Sequence, residues 1–277
     1  MLLLRLSVKP LGIAGGVASI QQMIISHDVS GSGPAVVLLH SAVCDRRMWD
    51  PQWQWLVDAG YRVVRCDFRG FGDSPLADGP YSDAGDVLAL LDHLGIASAA
   101  LIGASHGGRI ALTVAALRPD AVTALALLGA GMPGHEPSET MRAFGAREDE
   151  LLEAGDVAGA VGLNVETWLG PEAGEEARES VRRMQRHAFE VQAEATFGPD
   201  REEVDLARIT APTLAIAGAH DQPDFREIAA VLPALIPNAR HVELPWAGHL
   251  PSLDRPQEVA GLLVGFLRET VGGTTEV

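Results

Sequence analysis

Ala99-Ala100-Leu101-Ile102-Gly103-Ala104-Ser105-His106-Gly107-Gly108-Arg109-Ile110-Ala111-Leu112 reads as a short apolar strand, a sharp turn and the opening of a helix. The turn holds Gly103-x-Ser105-x-Gly107, and small residues on both sides let the backbone fold tightly enough to lift the Ser105 hydroxyl clear. A serine so placed stands at a helix N-terminus, where free N–H groups and the positive end of the helix dipole stabilise a developing oxyanion. Alone, the five-residue pattern fits a plain helix-entry turn equally well. Its meaning rests on partners elsewhere in the chain.

Outward from this stretch, strands and helices alternate. Residues 23–27 are apolar and β-branched, 28–34 read as a turn, and 35–39 as a buried strand, which together predict an opening hairpin or strand pair. A loop at 40–44 leads to a helix from Asp50, and 61–66 form another strand that runs into the glycine-rich turn 67–74. Ser82 to cap and Gly95 to terminate frame an amphipathic helix. After the strand 122–128, residues 132–207 hold no strand-like run and read as a helical insertion. Alternation resumes with strands at 213–217 and 240–244, a helix at 225–235 and a closing helix at 254–267. Short strands apolar on both faces fit a parallel sheet covered by helices on both sides.

Bulk properties narrow the function classes. The 277 residues suffice for a large α/β domain with a sizeable core. A balance of 21 Lys and Arg against 37 Asp and Glu gives a net charge of −16, which argues against nucleic acid or an anionic membrane surface as partner. Only Cys44 and Cys66 are present, too few for a disulfide framework or a zinc cluster, and free thiols suit a cytoplasmic location. Residues 1–22 are apolar with Arg5, Lys9 and Pro10 interrupting them; they read as an N-terminal extension, with a cleaved signal peptide or a true start at Met23 as the alternatives.

Two residues give Ser105 its partners. Asp221 follows one late strand, and His249, in Trp246-Ala247-Gly248-His249-Leu250-Pro251, follows the next. A serine hydroxyl is a weak nucleophile until an imidazole takes its proton, and the imidazole needs a carboxylate to fix its tautomer. All three residues follow the C-terminal ends of parallel strands, the edge at which loops converge on one crevice. Each has a plainer reading: Asp221 as a helix cap beside Pro223, His249 as a bond to a loop carbonyl.

With these residues in place, the chain from about Met23 to Leu267 resembles the α/β-hydrolase fold family. His40-Ser41-Ala42 is similar to its His-Gly-x oxyanion loop, 67–74 to its Asp-x-Arg-Gly-x-Gly-x-Ser turn, and 132–207 lies where the family inserts a cap. Arg47-Met48-Trp49-Asp50-Pro51-Gln52 and Arg62-Val63-Val64-Arg65 resemble the 3-oxoadipate enol-lactonase group. The resemblance implies a mostly parallel eight-stranded sheet with helices on both faces, a core of residues 23–131 and 208–270, and a helical cap at 132–207. It also implies a cofactor-independent serine hydrolase of a small ester, lactone or thioester, with Ser105 as nucleophile, His249 as base and Asp221 as its orienting acid. The backbone N–H groups of Ala42 and His106 would form the oxyanion hole. Ser41 stands where the family usually has Gly, and His106 where Met is frequent; neither change removes an N–H. His40 and Arg69 read as loop-holding residues, and Trp168, Met184 and His187 as pocket-lining or packing. Relatives with epoxide hydrolase or dehalogenase chemistry place Asp where this chain has Ser105. A perhydrolase, a C–C bond hydrolase or a ligand-binding receptor would keep the same three residues.

Overall fold

A computed structural model describes residues 24–272. Its strands are β1 (His27–Ser30), β2 (Ala35–Leu39), β3 (Arg62–Cys66), β4 (Ala99–Ala104), β5 (Val122–Leu128), β6 (Thr213–Gly218) and β7 (Ala239–Leu244). They form one sheet in the order β1-β3-β2-β4-β5-β6-β7, parallel throughout except for β1, which runs antiparallel to β3. The helices are α1 (Asp50–Asp58), α2 (Asp83–His93), α3 (His106–Leu117), α4 (Glu139–Glu153), α5 (Val157–Trp168), α6 (Glu175–Gln192), α7 (Pro223–Leu235), α8 (Pro251–Asp254) and α9 (Pro256–Thr270).

The strand period of two explains the layering. Val37, Leu39, Leu101, Leu125 and Leu127 point into one apolar layer, where residues of α2, α3 and α7 meet them. Val36, Leu38, Ile102, Ala126 and Leu128 point into the other, against α1 and α9. Central strands therefore need apolar residues at every position, and β4 is buried along its whole length. Ser82 caps α2 by accepting the Gly85 N–H at 3.0 Å, and Gly95 beyond its end takes φ +65°, as read from the sequence.

Two expectations are corrected. Among the described residues the sheet has seven strands, not eight. The opening strands do not pair with each other: β3 lies between β1 and β2, and β1 is built from His27–Ser30, although the sequence predicts a turn from Asp28. At a sheet edge, the polar Asp28 is well placed, because Arg65 Nε at 2.9 Å and Arg46 Nε at 3.1 Å both donate to its carboxylate. The turn falls at Gly31 and Gly33, with φ of +78° and +100°. Met23 and the extension 1–22, with the question of where the chain starts, lie outside the described residues.

The chain leaves β2 toward β3 on one side and returns through β4 to the other, so the loops after β2 and β4 diverge above the sheet. That crevice is where open parallel sheets bind ligands. The loop after β2 carries Ser41 and Ala42, Ser105 follows directly on β4, and Asp221 and His249 follow β6 and β7 at the same edge. α4, α5 and α6 stand between β5 and β6 in the chain, and Trp168 and Phe144 from them reach this edge.

Candidate active site

β4 ends at Ala104 and α3 begins at His106, so Ser105 alone makes the turn. It adopts φ +53° and ψ −113°, the one non-glycine residue at positive φ among the described residues. Such a conformation costs roughly 1–3 kcal/mol and persists only where the surroundings over-determine it. Here the Ser105 N–H donates to Leu128 O at 2.9 Å, while Arg109 and Gly131 N–H groups donate to Ser105 O at 3.1 and 3.0 Å. Gly103 and Gly107 supply room. A Cβ on Gly103 would lie 2.6 Å from the Gly107 carbonyl carbon, and one on Gly107 would lie 2.7 Å from His40 O. Strand, helix and the loop after β2 thus meet at a distance only glycine permits.

The loops after β6 and β7 bring a second pair together. His249 Nδ1 donates to the Asp221 carboxylate, at 2.9 Å to Oδ2 and 3.0 Å to Oδ1, and both residues are buried. The N-cap of α7 is Gln222, without a side-chain cap bond, so Asp221 does not cap that helix; its Oδ1 accepts the Gln222 N–H at 2.6 Å. His249 N–H donates to Trp168 O at 3.1 Å. The rings of Trp168 and Phe225 lie 4.6 and 4.2 Å from the imidazole, sheltering it from water. Gly129, at φ +51°, passes so close that a Cβ there would sit 3.0 Å from Nδ1.

Asp254 and Phe225 were not singled out from the sequence. Asp254 accepts the Gly248 N–H at 2.7 Å and the Gly170 N–H at 2.9 Å, joining the histidine loop to the end of α5. Burial pushes its carboxyl above the ordinary carboxylate range, against the pull of those two N–H groups. An acid following Leu250-Pro251-Ser252-Leu253 was the available signal. Phe225 gave none, since one aromatic at a helix start is ordinary.

The family-like loops hold the rim. His40 is wholly buried and neutral: Nδ1–H donates to Ser41 O at 2.8 Å and Nε2 accepts the Phe68 N–H at 3.0 Å. Gly107 N–H donates to His40 O at 3.0 Å, so one residue ties three loops. The buried Asp67 accepts the N–H groups of Arg46 at 2.8 Å and Asp73 at 2.9 Å, and pairs with the Arg46 guanidinium. Arg69 makes a forked bond to Asp86 at 2.6 and 2.8 Å. Ser41 needs no positive φ despite standing where the family has glycine.

Burial holds the His40 pKa below the ordinary imidazole value. The unfolded chain then takes up the proton more readily, so His40 contributes stability above about pH 6.5 that is lost as pH falls toward the folded value. Thermal midpoints of His40→Gln should therefore fall less steeply than those of the unsubstituted protein between about pH 7 and pH 5.5. Parallel slopes would contradict this.

Two adjoining cavities share Ala42, Ser105, Met141 and Phe225. The smaller, about 130 Å³, adds His249, Trp168 and Phe144; the larger, about 620 Å³, adds His106 and Arg109. Ser105 and His249 are walls of the smaller one, and Ala42 and His106 flank Ser105 in the larger. The His106 ring is engaged: Nε2 lies 2.9 Å from Asp83 Oδ2, with Phe68 edge-on at 5.2 Å. Of the helical residues read as lining or packing, Trp168 lines the smaller cavity and donates from Nε1 to Asn164 Oδ1 at 2.8 Å. Met184 packs in the core, and His187 donates from Nε2 to Gly72 O at 2.9 Å.

Comparison with known proteins identifies the family of the fold. The model of the alpha/beta hydrolase family matches residues 36–262. Epoxide hydrolase 2 of Siraitia grosvenorii is 38% identical over 113 residues, 39% of this chain and 36% of that protein. The dihydrolipoyllysine-residue acetyltransferase component of the acetoin cleaving system of Pseudomonas putida is 30% identical over 254 residues, 86% of this chain and 64% of that protein. The chain thus spans between about a third and two thirds of the length of these relatives. The crystal structure of the enol-lactonase from Burkholderia xenovorans LB400 superposes with a TM-score of 0.71 at 27% identity, covering 88% of this chain and 96% of that one. No helix among the described residues is long and apolar enough to cross a membrane.

Proposed function

The chain belongs to the alpha/beta hydrolase family, and we propose that within it the protein is a serine hydrolase of small carboxylic esters, lactones or thioesters. One observation carries this reading: a serine held at φ +53° at the end of the central strand shares a cavity wall with a histidine already paired to a buried carboxylate. With its proton fixed on Nδ1 by Asp221, His249 keeps the Nε2 lone pair for the Ser105 proton. Ser105 Oγ attacks the carbonyl carbon, and the oxyanion is held by the N–H groups of Ala42 and His106. His249 passes the proton to the leaving oxygen, and water activated by the same imidazole releases the acyl group. Residues 132–207 act as the cap over this site, and Trp168 closes it beside the imidazole. No cofactor enters these steps, the partner is a small molecule, and the two buried free cysteines suit a cytoplasmic setting.

Serine chemistry separates this reading from epoxide opening. A hydroxyl attacking an epoxide carbon leaves an ether, which water does not readily cleave, whereas its attack on an ester leaves an acyl-enzyme that water does cleave. Incubation with a fluorophosphonate followed by peptide mapping should place the adduct on Ser105, and ethyl acetate or ethyl butyrate should be hydrolysed over many turnovers. An adduct elsewhere refutes the nucleophile. A single burst without turnover assigns the site to ligand binding instead.

A further inference from the structure

His106 is tied down at one ring nitrogen and open at the other. Nε2–H donates to Asp83 Oδ2 at 2.9 Å, and Asp83, at the start of α2, is itself buried. A carboxylate only accepts, so this bond fixes the ring proton on Nε2 and leaves Nδ1 as a lone-pair acceptor. Nδ1 has no hydrogen-bond partner among the described residues. It is not sealed off, as the unpartnered nitrogens of Trp49 and His241 are. The side chain is 10% exposed, and the residue lines the larger cavity with Ser105 and Ala42. The residue next to the candidate nucleophile thus carries a largely buried acceptor that a ligand can reach.

Covalent geometry sets where that acceptor acts. Nδ1 lies within about 5 Å of its own backbone nitrogen in any rotamer. At the first position of α3 the Cα–Cβ bond also tilts toward the helix N-terminus, here toward Ser105. The His106 N–H has no partner among the described residues, and in the reaction it holds the substrate carbonyl oxygen. Of the positions on an ester that can carry a hydroxyl, the α-carbon is the nearest to that oxygen; a hydroxyl there stands about 3 Å from it. One residue can then hold two adjacent oxygens, the N–H donating to the carbonyl and Nδ1 accepting from the hydroxyl. A methyl in place of the hydroxyl would displace water from Nδ1 and leave the acceptor unmet.

We propose that the His106 side chain makes the enzyme selective for esters of α-hydroxy acids, with the α-hydroxyl donating to Nδ1 while the carbonyl oxygen accepts the His106 N–H. This rests on the serine hydrolase reading above. In the step itself the Ser105 Oγ–carbonyl carbon bond forms, and the bond from that carbon to the alcohol oxygen breaks. The Ser105 proton travels through His249 to the oxygen that leaves, while the α-hydroxyl keeps its own proton.

The test compares ethyl lactate with ethyl isobutyrate, which differ by a hydroxyl in place of a methyl on the α-carbon and release the same alcohol. Rates at about pH 8, above the ordinary imidazole range, give kcat/KM, normalised to each ester's rate with hydroxide. One lactate enantiomer or both should be favoured by about tenfold or more. The same comparison one carbon further out, ethyl 3-hydroxybutyrate against ethyl 3-methylbutyrate, should give a ratio near one. His106→Met and His106→Phe keep the N–H and remove the acceptor, and each should bring the lactate ratio to about one; fluorophosphonate labelling at Ser105 establishes that a variant is folded. Where neither variant takes the label, the contrast between α- and β-hydroxyl in the unsubstituted enzyme decides. A ratio near one for both lactate enantiomers overturns the proposal. So does a preference that survives the substitutions, or one equally strong at the β-carbon. If neither ester turns over and Ser105 takes no label in the unsubstituted enzyme, the serine hydrolase reading itself has failed; turnover of both at equal normalised rates refutes the α-hydroxyl preference alone.

Discussion

Ser105→Ala is expected to lower ester turnover by a factor on the order of 10⁴–10⁶, the range seen when the nucleophile of a Ser-His-Asp constellation is removed. The substitution is a clean one. Alanine keeps the Cβ and the same φ +53° strain, and the backbone bonds to Leu128, Arg109 and Gly131 do not involve the hydroxyl. The cavity walls stay in place, so the thermal midpoint should move little and a substrate analogue should still bind. A fall in turnover of only a few-fold would mean that water attacks directly and Ser105 merely shapes the turn.

Asp221→Asn is expected to cost about 10⁴ in kcat with little change in stability or KM. The carboxylate accepts from His249 Nδ1 at both oxygens, which holds the proton on that nitrogen and leaves Nε2 as a base. An asparagine amide is of the same shape, but it can present its NH₂ to Nδ1 and so favour the tautomer whose proton sits on Nε2, facing Ser105. It also withdraws the negative charge that steadies the imidazolium. Asp254 offers no substitute: its carboxyl is taken up by the N–H groups of Gly248 and Gly170. Retained turnover in Asp221→Asn would show that His249 needs no partner, and would reduce Asp221 to holding the loop through Gln222. Stopped-flow measurement of the acylation step distinguishes this loss from slowed product release.

The strand-turn-helix around Ser105 was legible because every requirement there is local. Small residues at Gly103 and Gly107 allow the close approach, the apolar run of β4 demands burial on both faces, and helix-forming residues follow at once. The order of Ser105, Asp221 and His249 was legible for a related reason: in a parallel sheet each strand delivers its following loop to the same edge, so position after a strand implies position in space. The edge strand was not. His27–Ser30 is short and polar, and its pairing with β3 depends on Arg46 and Arg65 arriving at Asp28 from 18 and 37 residues away.

What lies around His249 belongs to tertiary structure alone. Trp168, Phe225 and Asp254 come from separate segments, and nothing in the spacing of a tryptophan or a phenylalanine says which cavity it will face. Periodicity reports which face of an element is buried, not against what. Local chemistry in the chain sufficed for the hydrolase core and its candidate nucleophile, because backbone sterics and strand burial act over a few residues. The size of the cavity and the shelter over the imidazole arise only where helices from separate parts of the chain pack at the sheet edge, and packing is a property of the whole chain.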